Sequence, residues 1–183
     1  MKKTLLTAAL LTAVGVVALA PQAARATDGQ ITINGKITSS TCTINSGTSS
    51  FAVTLPTVAV SALNATGAVA GDTPFSISLT GCTISTAGNV SAYFEPGANV
   101  QADGNLKNTG SATGVEVQLL NSGNTPINLG SASGSQNSTT AAVTTTSTSA
   151  TLNYFAQYIV PASSTKAAAG AVSTSVYYSV TYP

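Results

Sequence analysis

Residues 170–183, at the end of the chain, read Gly-Ala-Val-Ser-Thr-Ser-Val-Tyr-Tyr-Ser-Val-Thr-Tyr-Pro. Apolar side chains take most of the alternate positions, and Ser and Thr take most of the positions between them. Because side chains alternate faces in a β-strand, this pattern predicts a strand with one buried and one solvated face. At about 3.3 Å per residue it would span roughly 40 Å, which is long for one strand. Such a strand must pair with something, and that partner bears directly on function.

The other end of the chain has the layout of an export signal. A basic N-terminus precedes an apolar run over residues 4–20, and the small-residue triplet Ala24-Arg25-Ala26 follows. This order predicts a secretory signal peptide, residues 1–26, cleaved between Ala26 and Thr27. The alternative is a membrane anchor, because the run approaches the roughly 17–25 residues of a transmembrane helix. No later stretch of the sequence is long and apolar enough to span a bilayer.

The composition limits the kind of partner. Removal of the signal would leave three basic and five acidic residues, a net charge of −2, which does not attract a polyanion such as nucleic acid. Charged residues form only 6% of the sequence, whereas hydrophobic residues form 43%. Disordered chains combine high charge with few apolar residues, so this chain is expected to fold. Its length fits one domain with a real core, residues 38–183.

The sequence contains two cysteines, Cys42 and Cys82, both in the part predicted to be exported. In an oxidising compartment an isolated pair is most simply a disulfide bond. A catalytic thiol or a metal site lacks support, because the chain contains no histidine. We therefore predict a disulfide and no cofactor.

Short apolar and β-branched segments recur along the predicted domain, with turn residues between them. They cover residues 31–37, 51–55, 75–79, 90–94, 115–119, 127–129 and 154–160, followed by the C-terminal stretch. Many short strands at this spacing indicate an all-β sandwich. Residues 58–63 suggest a helical turn, and the Ser/Thr-rich residues 131–151 are predicted to be a loop followed by a strand.

Residues for enzyme chemistry are scarce. The absence of histidine removes Ser-His-Asp and Cys-His catalysis and the commonest general base. A secreted hydrolase with a glycosidase pair remains an alternative, because that chemistry needs only two carboxyl groups at the right separation. The five acids are scattered and are more often solvated surface: Asp28, Asp72, Glu95, Asp103 and Glu116. We therefore predict that the chain is not an enzyme.

The first alternating segment lies directly behind the predicted cleavage site. It places four residues on one face: Ile31, Ile33, Gly35 and Ile37. Taken alone, this pattern favours an ordinary first strand, because most alternating segments pair within their own domain. Asn34-Gly35 would then form a tight hairpin turn.

The chain resembles the major structural subunits of chaperone-usher pili, of the type 1-like kind found in Gram-negative bacteria such as the Bordetella serotype fimbriae. Matching segments follow the family's order over nearly the whole predicted mature chain: residues 28–38 up to Cys42, 74–82, 92–97, 114–119, 154–158 and 180–183. The most telling match is at the C-terminus, where Tyr182 stands second from the end and Gly170 fourteenth from the end. Thr174 departs from the family's pattern, because its hydroxyl interrupts the apolar face.

The resemblance implies an incomplete immunoglobulin-like sandwich that lacks its last strand and is completed by donor-strand exchange. The C-terminal strand would border a hydrophobic groove and be read first by a periplasmic chaperone. The residues implied for this strand are Gly170, Val172, Val176, Tyr178, Val180 and Tyr182. At an outer-membrane usher, the N-terminal extension of the next subunit, residues 27–37, would replace the chaperone strand. Its implied donor face is Ile31, Ile33, Gly35 and Ile37.

The predicted function is therefore a structural subunit that polymerises head to tail into a surface fimbria and supports adhesion. Its implied partners are identical or related subunits, the periplasmic chaperone and the usher. The main alternative is a carbohydrate-binding tip adhesin, although adhesins of these systems usually place a separate binding domain ahead of the pilin domain. A minor adaptor subunit is a second alternative.

Overall fold

The structure is a computed structural model that describes Gln30, Ile37, Ser39 and residues 41–183. The predicted signal peptide, the cleavage site at Ala26 and Thr27, and the donor-face residues Ile31, Ile33 and Gly35 lie outside the described residues. One compact unit comprises Ile37–Pro183, and every strand named below belongs to this unit.

Eight strands form in the described part of the chain. They are β1 (Thr41–Ile44), β2 (Val69–Thr83), β3 (Gly88–Phe94), β4 (Leu106–Lys107), β5 (Glu116–Leu120), β6 (Thr140–Val143), β7 (Ala150–Ile159) and β8 (Tyr178–Thr181). A five-stranded sheet, called sheet A, has the order β1-β2-β7-β5-β4, and a three-stranded sheet, called sheet B, has the order β6-β3-β8. Neighbouring strands are antiparallel throughout both sheets. The prediction of an all-β fold is confirmed.

The core lies where alternate residues of the two sheets face each other. β2 buries Ile77 and Leu79, its partner β7 buries Leu152 and Tyr154, and all four side chains are fully buried. β3 contributes Phe94 from sheet B, and its ring meets the Tyr154 ring edge-on with centroids 5.3 Å apart. This two-residue periodicity is the alternation that the sequence shows in these segments.

The predicted disulfide is confirmed. Cys42 of β1 is bonded to Cys82 of β2, which fixes the edge strand of sheet A to its neighbour. The hydroxyl of Tyr182 accepts a hydrogen bond of 3.0 Å from the amide of Cys42. The disulfide therefore lies where the start of the described domain meets the C-terminus of the chain.

The C-terminal stretch pairs over a shorter length than its alternation predicts. Only Tyr178–Thr181 forms a strand, β8, which pairs with β3. Residues 171–177 alternate between exposed and half-buried positions as a strand does, but they belong to neither sheet. Residues 51–55 behave in the same way: Val53 and Leu55 pack against the core, but the segment belongs to no strand. The sequence correctly indicates extended backbone in both segments. Within the described residues, however, neither segment pairs with a neighbouring strand.

Two other segments differ from their predicted structure. Ile127 and Leu129 are fully buried, but they lie in a loop and not in a strand, so their alternation reflects packing alone. The Ser/Thr-rich region was predicted to be a loop followed by a strand; β7 does follow it, but the region itself also contains β6, which pairs with β3 and buries Val143. The helical turn predicted at residues 58–63 is present as a short 3-10 helix, Val60–Leu63.

No helix in the described residues is long and apolar enough to cross a membrane.

Candidate functional site

An open groove of about 760 Å³ runs between the two unpaired segments of the fold. Residues 49–55 form one wall, and residues 172–178 form the other. Its floor consists of core side chains from both sheets: Ile77, Phe94, Leu106, Val117, Leu119 and Ala156. A groove with an apolar floor and two extended walls has the shape of the gap that a missing strand leaves in a sheet.

The wall at residues 172–178 has one satisfied edge. The carbonyls of three of its odd-numbered residues, Ser173, Ser175 and Tyr177, accept hydrogen bonds from loop donors. The donors are the amides of Thr109 and Glu95, each at 2.8 Å, and the side chain of Asn99 at 3.1 Å. The amide of Ser173 also donates to Asn108 Oδ1 at 2.8 Å. This edge is therefore bonded to the loops that lead into and out of β4.

The opposite edge of the same wall is open. In an extended chain the backbone groups of successive residues point to opposite edges, so those of the even-numbered residues point away from the loops. Among the described residues, none bonds the backbone amides or carbonyls of Val172, Thr174 or Val176. Their side chains line the groove. This wall thus offers both an apolar face and a row of unpaired backbone groups.

The other wall of the groove, residues 49–55, is held at its first residues by aromatic contacts and one hydrogen bond. The hydroxyl of Tyr178 donates to the carbonyl of Ser49 at 2.7 Å, which joins the two walls at one end of the groove. The ring of Phe51 lies 6.1 Å from that of Phe75 and 6.3 Å from that of Tyr178, measured between centroids. Phe51 is nevertheless 43% exposed. A large aromatic ring at the mouth of the groove is therefore half open to solvent.

Five of the six residues implied for the C-terminal strand fall into two groups. Val172, Val176 and Tyr178 line the groove. Val180 lies in β8 opposite Ala92 and packs on the core. The hydroxyl of Tyr182 accepts the hydrogen bond from the amide of Cys42.

Gly170 stands just outside the groove and has a steric role. A Cβ atom at this position would collide with the backbone of Ala112 and Ser111. The amide of the next residue, Ala171, donates to Ser111 Oγ at 2.9 Å, and its carbonyl accepts from the amide of Ala112 at 2.9 Å. Glycine therefore allows the backbone at the start of the C-terminal wall to lie in close contact with the loop before β5.

Ile37 is the one residue of the predicted donor face that the structure describes, and it is fully exposed.

Sequence reasoning missed a carboxyl pair on the face of sheet A that points away from the groove. Glu116 begins β5, and its Oε2 is buried and has no hydrogen-bond partner in the part of the chain that the structure describes. Asp103, from the turn before β4, lies within hydrogen-bonding reach of Glu116 and accepts bonds of 3.1 and 2.9 Å from the backbone and side chain of Asn105. Burial, followed by the hydrogen bond to Asp103 and repulsion from it, raises the pKa of Glu116 from its ordinary 4.5 to about 7.

This pair does not fit a glycosidase. Retaining and inverting enzymes hold their two carboxyl groups roughly 5 to 9.5 Å apart so that a sugar or water fits between them, whereas these two are in mutual hydrogen-bonding reach. Asp72 is exposed, and Glu95 accepts a hydrogen bond from Ser179 on β8. Asp28 lies outside the described residues. Asp103 and Glu116, which lie together, are therefore too close for a glycosidase pair.

The carboxyl pair predicts a pH-dependent stability. Because the pKa of Glu116 is higher in the folded chain than in the unfolded chain, the folded state binds more protons between pH 4.5 and about 7. The free energy of unfolding should fall as pH rises through this window, by at most about 3 kcal/mol, and should change little from this source above it. Urea unfolding of the mature chain from pH 5 to pH 8.5 measures this slope.

Glu116→Gln should remove most of the slope and should be more stable than the native chain above pH 8. Asp72→Asn, at an exposed acid, should leave the slope unchanged. A native slope in the Glu116→Gln variant would show that another group is responsible.

Comparisons of this chain with known proteins by sequence and by fold agree on the family of proteins that it resembles. The family model described as Type-1 fimbrial protein, A matches residues 55–183. Major fimbrial subunit SMF-1 of Stenotrophomonas maltophilia is 47% identical over 174 residues, covering 91% of this chain and 99% of the relative. The F17 fimbrial protein of Escherichia coli is 42% identical over 176 residues, covering 92% of this chain and 95% of the relative.

The resemblance to Bordetella subunits is also confirmed. The serotype 2 fimbrial subunit of Bordetella pertussis is 34% identical over 187 residues, covering 88% of this chain and 89% of the relative. Among solved structures, a chain from a chaperone-usher pilus superposes with a TM-score of 0.59 at 20% identity, covering 90% of this chain and all of that chain. The fold is thus the incomplete immunoglobulin-like sandwich that the family resemblance implies. The chain belongs to the type-1 fimbrial protein family and is a structural subunit of a fimbria.

Proposed function

We propose that this subunit polymerises by donor-strand exchange, with residues 27–37 of one copy filling the groove of the next. The observation that carries the proposal is the groove itself, which has an apolar floor and two extended walls without a strand between them. An exposed sheet edge of this kind pairs readily with another chain. Addition of a strand satisfies the backbone edge through hydrogen bonds and the floor through alternate side chains.

The composition of the proposed donor segment suits this groove. Ile31, Ile33 and Ile37 share one face of an extended chain, and the groove floor is apolar. Burial of three isoleucines would contribute on the order of 5–9 kcal/mol before the cost of ordering the segment. Ile37, at the end of the segment, is fully exposed in the single chain and so has apolar surface still to bury.

Head-to-tail exchange of this kind joins two different surfaces of each copy, and such contacts build open filaments and not closed rings. The bare groove also requires protection before assembly, because an open apolar edge aggregates. We therefore assign a periplasmic chaperone as the first occupant of the groove and an outer-membrane usher as the place of exchange. The product is a fimbria at the cell surface that supports adhesion. No enzymatic activity is assigned, and the similarity to a relative named a major fimbrial subunit does not favour a tip adhesin.

Deletion of residues 27–37 behind an intact signal peptide tests the proposal. The strands of both sheets come from residues 41–183, so the shortened subunit should accumulate in the periplasm in a complex with its chaperone. It should fail to form fibres, because no copy can fill the groove of another. Electron microscopy of the cells and co-purification of the chaperone give the two readouts. Fibres of normal length and number from the shortened subunit would overturn the proposal.

A further inference from the structure

We infer that Asp103 and Glu116 together bind a calcium ion on the outer face of sheet A. The next residue of β5, Val117, lines the groove, so the side chain of Glu116 lies on the opposite face of the sheet. The inference therefore does not depend on how the groove is filled. It gives a role to a carboxyl pair that the proposed assembly leaves unused.

The contact between the two carboxyl groups requires a positive group between them. Asp103 and Glu116 lie within mutual hydrogen-bonding reach. An ionised carboxylate accepts hydrogen bonds and donates none, so two of them in contact are stable only with a proton or a cation between them. Glu116 is only 9% exposed, and its Oε2 is buried and has no hydrogen-bond partner among the described residues. A buried carboxylate oxygen beside a second carboxyl group is a strong ligand for a hard cation.

A chain of side-chain amides directs its donors toward Asp103. Gln157 Nε2 on β7 donates to Gln118 Oε1 on β5 at 2.9 Å, and Gln118 Nε2 donates to Asn105 Oδ1 at 3.2 Å. Asn105 in turn donates to both oxygens of Asp103, from Nδ2 at 2.9 Å and from its backbone amide at 3.1 Å. These hydrogen bonds fix the orientation of the Asp103 carboxylate, as the outer partners of metal-binding carboxylates do.

The turn that carries Asp103 is held in shape by its neighbours. The amide of Gly104 donates to the carbonyl of Gln101 at 3.0 Å, and the carbonyl of Gly104 accepts from the amide of Leu129 at 3.1 Å. Gly104 has a φ of +85°, and a Cβ atom at this position would collide with Asn128. The turn therefore requires glycine here, and its shape is set before any cation binds.

The donor set indicates the kind of cation. The described residues contain no group of three or more His, Cys, Asp or Glu side chains that could hold a metal ion. Two carboxylates and water supply oxygen ligands alone, which suit Ca²⁺ and Mg²⁺. Ca²⁺ accepts irregular geometry, whereas Mg²⁺ demands a near-ideal octahedron, so two carboxylates already in contact favour Ca²⁺. With so few protein ligands, we expect a Kd of about 0.1–1 mM, the range of extracellular calcium modules.

A calcium ion at this site would secure the edge of sheet A from outside. Glu116 is paired with Lys107 in the ladder between β4 and β5, and the next pair is Leu106 with Val117. Leu106 and Val117 both belong to the groove floor. Because β4 is only two residues long, the added link between its preceding turn and β5 should stabilise this part of the floor.

Calcium titration of the purified mature subunit, first freed of metal with a chelator, tests the inference at pH 8. Isothermal titration calorimetry should give a Kd of about 0.1–1 mM. In thermal unfolding, 10 mM Ca²⁺ should raise the Tm by about 3–10 °C. Asp103→Asn and Glu116→Gln should each weaken binding at least about tenfold and remove most of the Tm shift. Asp72→Asn, at an exposed acid, should leave both unchanged.

Lys107→Gln distinguishes a bound cation from a merely structural role of the pair. Lys107 is exposed and lies directly opposite Glu116, so its positive charge opposes a cation at the site. Its removal should tighten calcium binding by about two- to fivefold, as expected for a charge near the protein surface. Loss of a structural contact would not strengthen binding. This variant also keeps the test valid if circular dichroism shows that either acid variant is misfolded.

Three results would contradict the inference. A native subunit that binds no Ca²⁺ below about 10 mM would leave a proton as the group that the two carboxyls share. Native affinity in both Asp103→Asn and Glu116→Gln would place the cation elsewhere on the subunit. Tighter binding of Mg²⁺ than of Ca²⁺ would overturn the choice of cation.

Discussion

Replacement of Ile33 by Asp is expected to reduce fimbriae on the cell surface by at least about hundredfold. In the proposed assembly Ile33 enters an apolar groove, where an unpaired carboxylate costs several kcal/mol, and each 1.4 kcal/mol corresponds to about tenfold in binding. The measurement is the number of fibres per cell by electron microscopy, together with the amount of subunit in the periplasm by immunoblot.

Thr32→Asp is the matched control, because the neighbouring residue of an extended donor faces the opposite way. It carries the same added charge one position earlier and should leave fibres at close to the native number. Both residues precede the strands of the described domain, so neither change should lower the periplasmic level of the subunit. Native fibre numbers from Ile33→Asp, or equal losses from both variants, would contradict the donor-face assignment.

Removal of the disulfide by Cys42→Ser with Cys82→Ser should lower the free energy of unfolding by about 2–5 kcal/mol. The bond closes a loop with a sequence separation of 40 and secures β1 at the edge of sheet A. The hydrogen bond from Cys42 to Tyr182 should weaken with it, because β1 is no longer held in place. Urea unfolding of the mature chain, monitored by circular dichroism, measures the change.

The native chain after reduction is the control for this pair of substitutions and should lose a similar amount of stability. Thr43→Ser, at an exposed position of β1 next to Cys42, should change stability by less than about 0.5 kcal/mol. A loss below about 1 kcal/mol in the double variant would mean that β1 is secured by its ladder with β2 and not by the disulfide.

Alternation in the sequence predicted the strands that bury one face, whereas the gap between strands was predicted only through the family resemblance. Ile77, Leu79, Leu152 and Tyr154 stand at alternate positions in the sequence and are fully buried in the fold. Alternation reports only that one face is buried. It does not say whether the backbone edge is paired, so residues 51–55 and 170–177 were predicted as strands although they flank an open groove.

Polar contacts were harder to foresee than packing. The carboxyl pair of Asp103 and Glu116 comes from a turn and a strand that the chain brings together through tertiary structure, and no spacing rule marks it in the sequence. Thr174 was recognisable in the sequence as an interruption of an apolar face. That its hydroxyl is buried and has no hydrogen-bond partner among the described residues depends on neighbours from other elements. The family resemblance singled out Gly170 in the sequence. Only the fold shows why glycine is needed there, because the backbone of Ala112 leaves no room for a Cβ atom.

The link between Cys42, Cys82 and Tyr182 has a mechanical consequence. In the proposed assembly, a fibre under tension would pull on each subunit through its N-terminal extension, and the force would reach Cys42 only a few residues after Ile37. From there the covalent bond passes the force into β2, the longest strand of sheet A, and the hydrogen bond passes part of it to the C-terminus beyond β8. The disulfide and this hydrogen bond would then carry the load between β1, β2 and the C-terminus. The weakly paired edge strand β1 would therefore stay attached to sheet A when the fibre is stretched.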